Sequence, residues 1–405
     1  MTWTRDFFRK YSEIYTVFLP LFSIFLIVYG ILISTQHPVI APYDPSKDEL
    51  LDLHRNLIDI PSVTLSENDV ASYLGTYLAD RGFTVERQQI STDPARENIY
   101  AYKGITRDTK VLLTSHIDTV PPFIPYSYHD GYIWGRGSVD AKASVAAQVT
   151  AAIELLADGQ VQEGDVSLLY VVGEETDGIG MTTASESLNA NWEAAVFGEP
   201  TELKLAVGHK GILLADLYAH GKASHSGYPE LGINANSYII EALYKLDNLK
   251  YPSSELLGNT TFNIGTLQGG VAANVIPANA SAGITVRVAD DLPQVVRLMK
   301  DAVEDVDHVE LDITLTYEPV YCDYDVPGFD TIVASYGTDI PHLKADIKKY
   351  LYGPGSILVA HAENERLSEA DLRESVVGYK KLVAFSLGKS LEFHSTTTET
   401  KLVAQ

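Results

Sequence analysis

The chain has 405 residues, 45% of them hydrophobic and 21% charged, with a formal net charge of −24. That composition is globular and long enough for one or two domains, and the acidic excess excludes a nucleic-acid partner, which needs a basic stripe to displace counterions. Cys322 is the only cysteine, so an intrachain disulfide and a thiolate zinc site are both excluded, and any bound metal must use histidine and carboxylate ligands.

The first predicted element is an apolar run at 14–34, IYTVFLPLFSIFLIVYGILIS, without a charged residue. As a helix it spans roughly 30 Å, the hydrocarbon thickness of a bilayer. Arg5, Arg9 and Lys10 precede it, so the positive-inside rule places residues 1–13 in the cytosol and the rest across the membrane. The run reads as a signal anchor or, alternatively, as a cleaved signal peptide. The expected location is then single-pass membrane with a lumenal (vacuolar or secretory) or extracellular domain, or secretion if the segment is cleaved. Sequons at Asn259 and Asn279 fit a glycoprotein on that side.

After a Pro-containing linker at 35–49, strands and helices alternate. VLLTSHID, VSLLYVV and AAVFG are short apolar runs ending in polar residues, and KASVAAQVTAAIELLAD has helical period and propensity. This alternation predicts an α/β fold with a mainly parallel sheet covered on both faces, whose functional groups gather beyond the carboxyl ends of the strands. From 208 to 319 the texture changes. Four alternating strands and two helical stretches (INANSYIIEALYKLDNL and LPQVVRLMKDAVEDV) predict a smaller α+β domain inserted into the larger one, which comprises 50–207 and 320–405. The larger domain ends in the helix SEADLRESVVGYKKLVAFSLG.

The polar residues at the strand ends carry the chemistry. His116 and Asp118 stand two apart, an imidazole able to bind a metal with a carboxylate to fix its tautomer. Asp140, in GRGSVDAKAS, precedes a helix. Glu174 and Glu175 are adjacent in VVGEETDG and repel each other unless a cation or a proton intervenes. Glu199 follows AAVFG, and His361 follows a Gly-Pro-Gly turn. Singly, each has an ordinary structural reading as a loop histidine, a helix cap or a solvated carboxylate. Together they supply the nitrogen and oxygen donors suited to zinc, or to cobalt or manganese, with one glutamate left over as a base.

In SHIDTVP, GRGSVDAKAS, GEETDG, GEPT, HKG, ASHSG and YGPGSILVAHAENE, the sequence resembles the M20 metallopeptidases, which include acetylornithine deacetylase, succinyl-diaminopimelate desuccinylase, aminoacylases and glutamate carboxypeptidases. The resemblance runs from about Leu50 to the C-terminus. It implies two Zn2+ per subunit, an α/β metal-binding domain, and a lid that pairs subunits into a homodimer. His116 and Glu199 would hold one metal, Glu175 and His361 the other, and Asp140 would bridge both. Asp118 would support His116, and Glu174 would be the general base. His225, in the lid, would stabilise the oxyanion, and could reach the partner subunit's site. Asn274, Arg287 and the turn at Gly355 would bind substrate; many members carry an acidic residue shortly before this arginine, where this chain has Thr285 and Val286.

Glu199, rather than aspartate, resembles the deacylase and carboxypeptidase branches. GHKG and GPGS are similar to acetylornithine deacetylase, but an apolar N-terminal segment does not suit arginine biosynthesis. The expectation is therefore a carboxypeptidase-type hydrolase of small peptides or N-acyl amino acids, with an N-acyl-amino-acid deacylase as the alternative. A catalytically dead homologue, acting only as a metal-binding or dimerisation module, would lack a ligand or the base. This chain has every one.

Overall fold

A computed structural model describes residues 48–389. The apolar run at 14–34 lies outside them, and no helix among the described residues is long and apolar enough to cross a membrane. The fold opens on helix α1 (Glu49–Asp59), which buries Leu50, Leu53, Leu57 and Ile58 on one stripe, as its apolar spacing requires. Helix α2 (Asn68–Asp80) follows.

The main sheet has six strands. In chain order these are β1 (Phe83–Thr92), β2 (Ala95–Lys103), β3 (Val111–His116), β4 (Val166–Val171), β5 (Ala194–Gly198) and, far along the chain, β12 (Lys348–Tyr352). Their spatial order is β1-β2-β4-β3-β5-β12. The four strands β4, β3, β5 and β12 run parallel, whereas β1 and β2 form an antiparallel hairpin joined antiparallel to β4. The sheet is thus mixed, with a parallel half that carries the function. Strands β3, β4 and β5 are buried along their whole length, which explains their unbroken apolar runs. Helix α3 (Lys142–Ala157), buried on nearly every side, packs against the sheet and against the C-terminal helix α7 (Glu369–Ser386). On the opposite face Met181 and Ala184 of helix α4 (Ile179–Ser187) join a cluster with Leu112, Leu169, Phe197 and Leu351.

A short strand β6 (Leu205–His209) leads into a second sheet. Strands β7 (Gly211–His220), β8 (Thr261–Gly269), β9 (Asn279–Val288) and β10 (Val309–Tyr317) form an antiparallel layer in the order β8-β9-β7-β10. Helices α5 (Ala235–Asp247) and α6 (Leu292–Glu304) cover one face, closing a core of Leu213, Leu217, Ile239, Leu243, Ile284, Val286, Val295 and Met299. Residues of the other face alternate with these, and three of them, Arg287, Ile212 and Tyr317, stand side by side across β9, β7 and β10. Strand β11 (Thr331–Ala334) then pairs with β6 in parallel, and the chain returns to the main sheet.

Candidate metal centre and active site

The carboxyl ends of the parallel strands bring the predicted donors together. His116 closes β3, Glu174 and Glu175 follow β4 after a short turn, Glu199 comes directly after β5, and β12 leads through Gly353–Gly355 to His361. Asp140 precedes α3, across a cis peptide bond to Ala141. Its carboxylate is no helix cap: Oδ1 lies 3.1 Å from His116 Nε2 and Oδ2 lies 3.2 Å from His361 Nε2. Glu199 Oε1 is 3.7 Å from His116 Nε2, and Glu175 Oε2 is 3.0 Å from His361 Nε2. Two donor triads result, His116–Asp140–Glu199 and Asp140–Glu175–His361, sharing Asp140.

Asp118 does more than face a histidine. The His116 Nδ1 sits 3.0 Å from the Asp118 carbonyl oxygen. That oxygen can only accept, so Nδ1 carries a proton and Nε2 is the ring atom that faces the triad. The Asp118 carboxylate accepts from Thr64 Oγ1 at 2.8 Å and from the backbone N–H groups of Glu174 and Glu175 at 3.2 and 3.3 Å. One aspartate thereby fixes both the imidazole and the paired glutamates.

The electrostatics are those of carboxylates and imidazoles crowded together in a buried site. Burial and, more weakly, the carboxylates of Asp339 and Glu175 push Glu174 well above the usual carboxylate range, against the pull of His116. Burial pushes Glu199 up in the same way. Hydrogen bonds to Asp140 and Glu175 raise His361 to about 10. Around His116 burial opposes the charge, yet Glu199, Asp118 and Asp140 outweigh it and hold the ring well above its ordinary value. Shifts of this direction mark crowded donors that a divalent cation would balance, since metal binding favours the deprotonated ligands. Glu175 Oε1 is buried without a hydrogen-bond partner, as expected of an atom whose partner is not protein. Donor type, convergence and this orphaned oxygen all fit divalent metal.

Beside the triads lies a cavity of about 290 Å³, lined on one side by Asp140, Glu174, Glu175, Glu199 and His361 and on the other by Ile212, Arg287 and Tyr317. Arg287 is half-buried and makes no ion pair among the described residues, and burial lowers its pKa. The other predicted residues fall elsewhere. His225 is exposed, its Nδ1 accepting from Gly227 N at 3.0 Å. The Asn274 carbonyl accepts from Ser226 N next to it, so these two neighbour each other outside the cavity lining. Gly355 does not line the cavity; its φ of +73° and the 2.4 Å from a notional Cβ to Val139 Cγ2 make it a packing glycine.

Residues the sequence reading passes over complete the site. Asp339 is 5% exposed, with Oδ1 unpartnered and its pKa pushed up to about 7 by burial. Tyr336 and His342 join the cavity wall. Arg136 and Glu365 form a buried ion pair with 2.5 Å between Nη1 and Oε2. Asp339 lies in an unremarkable YGTDIP stretch, whereas Arg136 and Glu365 stand inside two of the strongest motifs, GRGSVDAKAS and YGPGSILVAHAENE.

Comparison with known proteins agrees with this geometry. A peptidase M20 domain-containing protein of Schizosaccharomyces pombe is 50% identical over 345 residues, covering 85% of this chain and 86% of its own length. A probable carboxypeptidase of Aspergillus flavus is 43% identical over 415 residues, or 91% of this chain and 99% of its own. Among solved structures, a tripeptidase of Staphylococcus aureus superposes with a TM-score of 0.71 at 21% identity, covering 84% of this chain and 98% of that one. An M20 family metallo-carboxypeptidase of Sulfolobus solfataricus gives 0.66 at 16% identity, covering 84% and 99%; at such identities the likeness is one of fold. Residues 112–384 match the sequence pattern of peptidase family M20/M25/M40, a span that contains both donor triads. The chain belongs to this peptidase family and is a hydrolase.

Proposed function

We propose that the protein is a two-zinc carboxypeptidase that hydrolyses the C-terminal amide bond of small peptides. The observation that carries the reading is the pair of triads sharing Asp140, with an unpaired guanidinium on the facing wall of one cavity. His116, Asp140 and Glu199 would hold one cation and Asp140, Glu175 and His361 the other. When bound, such cations supply Lewis-acid polarisation of the scissile carbonyl and a lowered pKa for the attacking water.

The chain's own residues do the rest. Arg287 offers two parallel N–H donors to the substrate's terminal carboxylate, a geometry lysine cannot reproduce. Ile212 and Tyr317 beside it give the terminal side chain an apolar surface. Glu174 belongs to neither triad, yet its Oε2 lies 3.9 Å from His116 Nε2 on the cavity wall, where a base would meet the attacking water. It takes a proton from the water as the oxygen bonds to the carbonyl carbon, then delivers that proton to the nitrogen as the C–N bond breaks. The products are a carboxylate and a free amino acid.

An N-acyl-amino-acid deacylase would use the same parts, because its substrate also ends in a carboxylate. The name of the Aspergillus flavus relative favours the peptidase. Full-length protein loaded with zinc should hydrolyse C-terminal dipeptides faster than matched N-acetyl-amino acids, and lose both activities to a chelator. Faster turnover of the acetyl series would transfer the assignment to the deacylase, and activity untouched by chelation would remove the metal from it.

A further inference from the structure

We propose that Arg136 and Glu365 form a clamp that positions Asp140 and His361 against each other, and so sets the affinity of the cation site they share. The inference rests on reading the triads as a metal centre. Both clamp residues are about 2% exposed. The Glu365 carboxylate accepts from Arg136 Nη1 through Oε2, and from the backbone N–H groups of Val139 and Asp140, at 3.2 and 3.4 Å, through Oε1. The guanidinium in turn donates from Nη2 to the His361 carbonyl at 3.2 Å, and from Nη1 to that of Ala362 at 3.4 Å. Its Nε donates to the Pro122 carbonyl at 3.3 Å. One ion pair thus grips the backbone at both ligands, which lie more than two hundred positions apart in the chain.

Two further observations separate this role from ordinary core stability. His361 has φ +63°, a left-handed conformation that a residue with a Cβ resists. A backbone held there needs outside restraint, and two of the three carbonyls that Arg136 holds are those of His361 and the residue after it. In addition, a buried ion pair is a poor stability device, since apolar groups of similar volume often serve as well or better. What apolar groups cannot do is hold three carbonyl and two amide groups in one geometry. Partners behind the ligands of a metal typically alter its affinity 10–100-fold when removed.

The test uses full-length protein with three variants. Arg136→Lys keeps the cation without the fork, Glu365→Gln keeps the shape without the charge, and the double variant Arg136→Met/Glu365→Leu leaves no buried charge behind. Zinc affinity is read by chelator competition, ligand geometry by the visible absorption of bound cobalt, and folding by circular dichroism and thermal melting. The expected result is one cation bound about 10–100-fold more weakly in each variant, an altered cobalt spectrum, and a double variant that melts as wild type does. Unchanged affinities and spectra in all three would overturn the clamp, as would a loss of affinity that only tracks a lowered melting temperature. His361→Ala is the control for the underlying reading. If it too retains both cations, the metal centre itself is misassigned; if it loses one while the clamp variants lose none, only the clamp fails.

Discussion

At the scale of single residues, the adjacent glutamates present the sharpest contrast. Asp118 holds both backbones in the same way, yet their side chains diverge. Glu175 reaches His361 at 3.0 Å, whereas Glu174 Oε2 stays 3.9 Å from His116. Replacing Glu174 by glutamine should therefore leave metal content intact and reduce turnover about 10²–10⁴-fold, the usual effect of removing a general base. Glu175→Ala should instead bind less metal, since it empties one corner of a triad. Metal analysis beside single-turnover rates decides it; a Glu174→Gln protein that loses metal but keeps its rate per metal would reverse the two roles. His116, Glu174, Glu175 and Glu199 were legible in the sequence because they stand at the ends of buried apolar strands, where a charged residue has few structural uses, whereas Asp140 and His361 were legible only through their motifs. Asp339 was not, because an unpartnered buried aspartate looks in sequence like any aspartate in a loop. What makes it unusual is only its burial beside His116, Asp118 and Asp177, which the ends of β3 and β4 bring to it.

At the scale of elements, the join between α7 and β12 shows how tightly the parallel half is packed. Gly378 lies inside α7, where alanine would ordinarily favour the helix by about 1 kcal/mol. A Cβ there would stand 1.9 Å from the Tyr352 hydroxyl. Tyr352 has little room to withdraw: it is 1% exposed, edge-on to Phe329 and Tyr379, and its carbonyl accepts from Tyr379 Oη at 2.7 Å. Gly378→Ala should thus lower stability by about 1–3 kcal/mol, the range for overpacking, read from the denaturant midpoint. A midpoint that stays or rises would mean that Tyr352 yields. The same packing explains what the sequence disclosed of the fold. Strands β3, β4 and β5 are covered on both faces and had to be apolar throughout, so they could be read directly. The β1–β2 hairpin at the sheet edge carries FTVERQQIST on a half-exposed strand, and its mixed polarity hid the antiparallel part of the sheet.

At the scale of the whole molecule, His225 poses the question of what completes the site. The sequence resemblance gives it an oxyanion role, yet within one chain it is exposed and absent from the cavity lining, beside Asn274 in the loops that follow β7 and β8 of the four-stranded layer. Either that layer moves until His225 meets its own cavity, or the residue serves the cavity of a second copy. A residue that meets the substrate only in the assembled, closed state contributes chiefly to the transition state. His225→Ala should then reduce turnover about 10²–10³-fold, as for one oxyanion donor, with little change in KM or metal content. The two routes part when inactive His225→Ala is mixed with inactive Glu174→Gln under conditions that exchange subunits. If His225 acts across a symmetric dimer, each mixed pair holds one site with both groups intact. Random exchange makes half of the pairs mixed, so activity should return towards roughly a quarter of wild type. If His225 swings into its own chain's cavity, every site in a mixed pair still lacks one group, and verified mixed pairs will stay inactive.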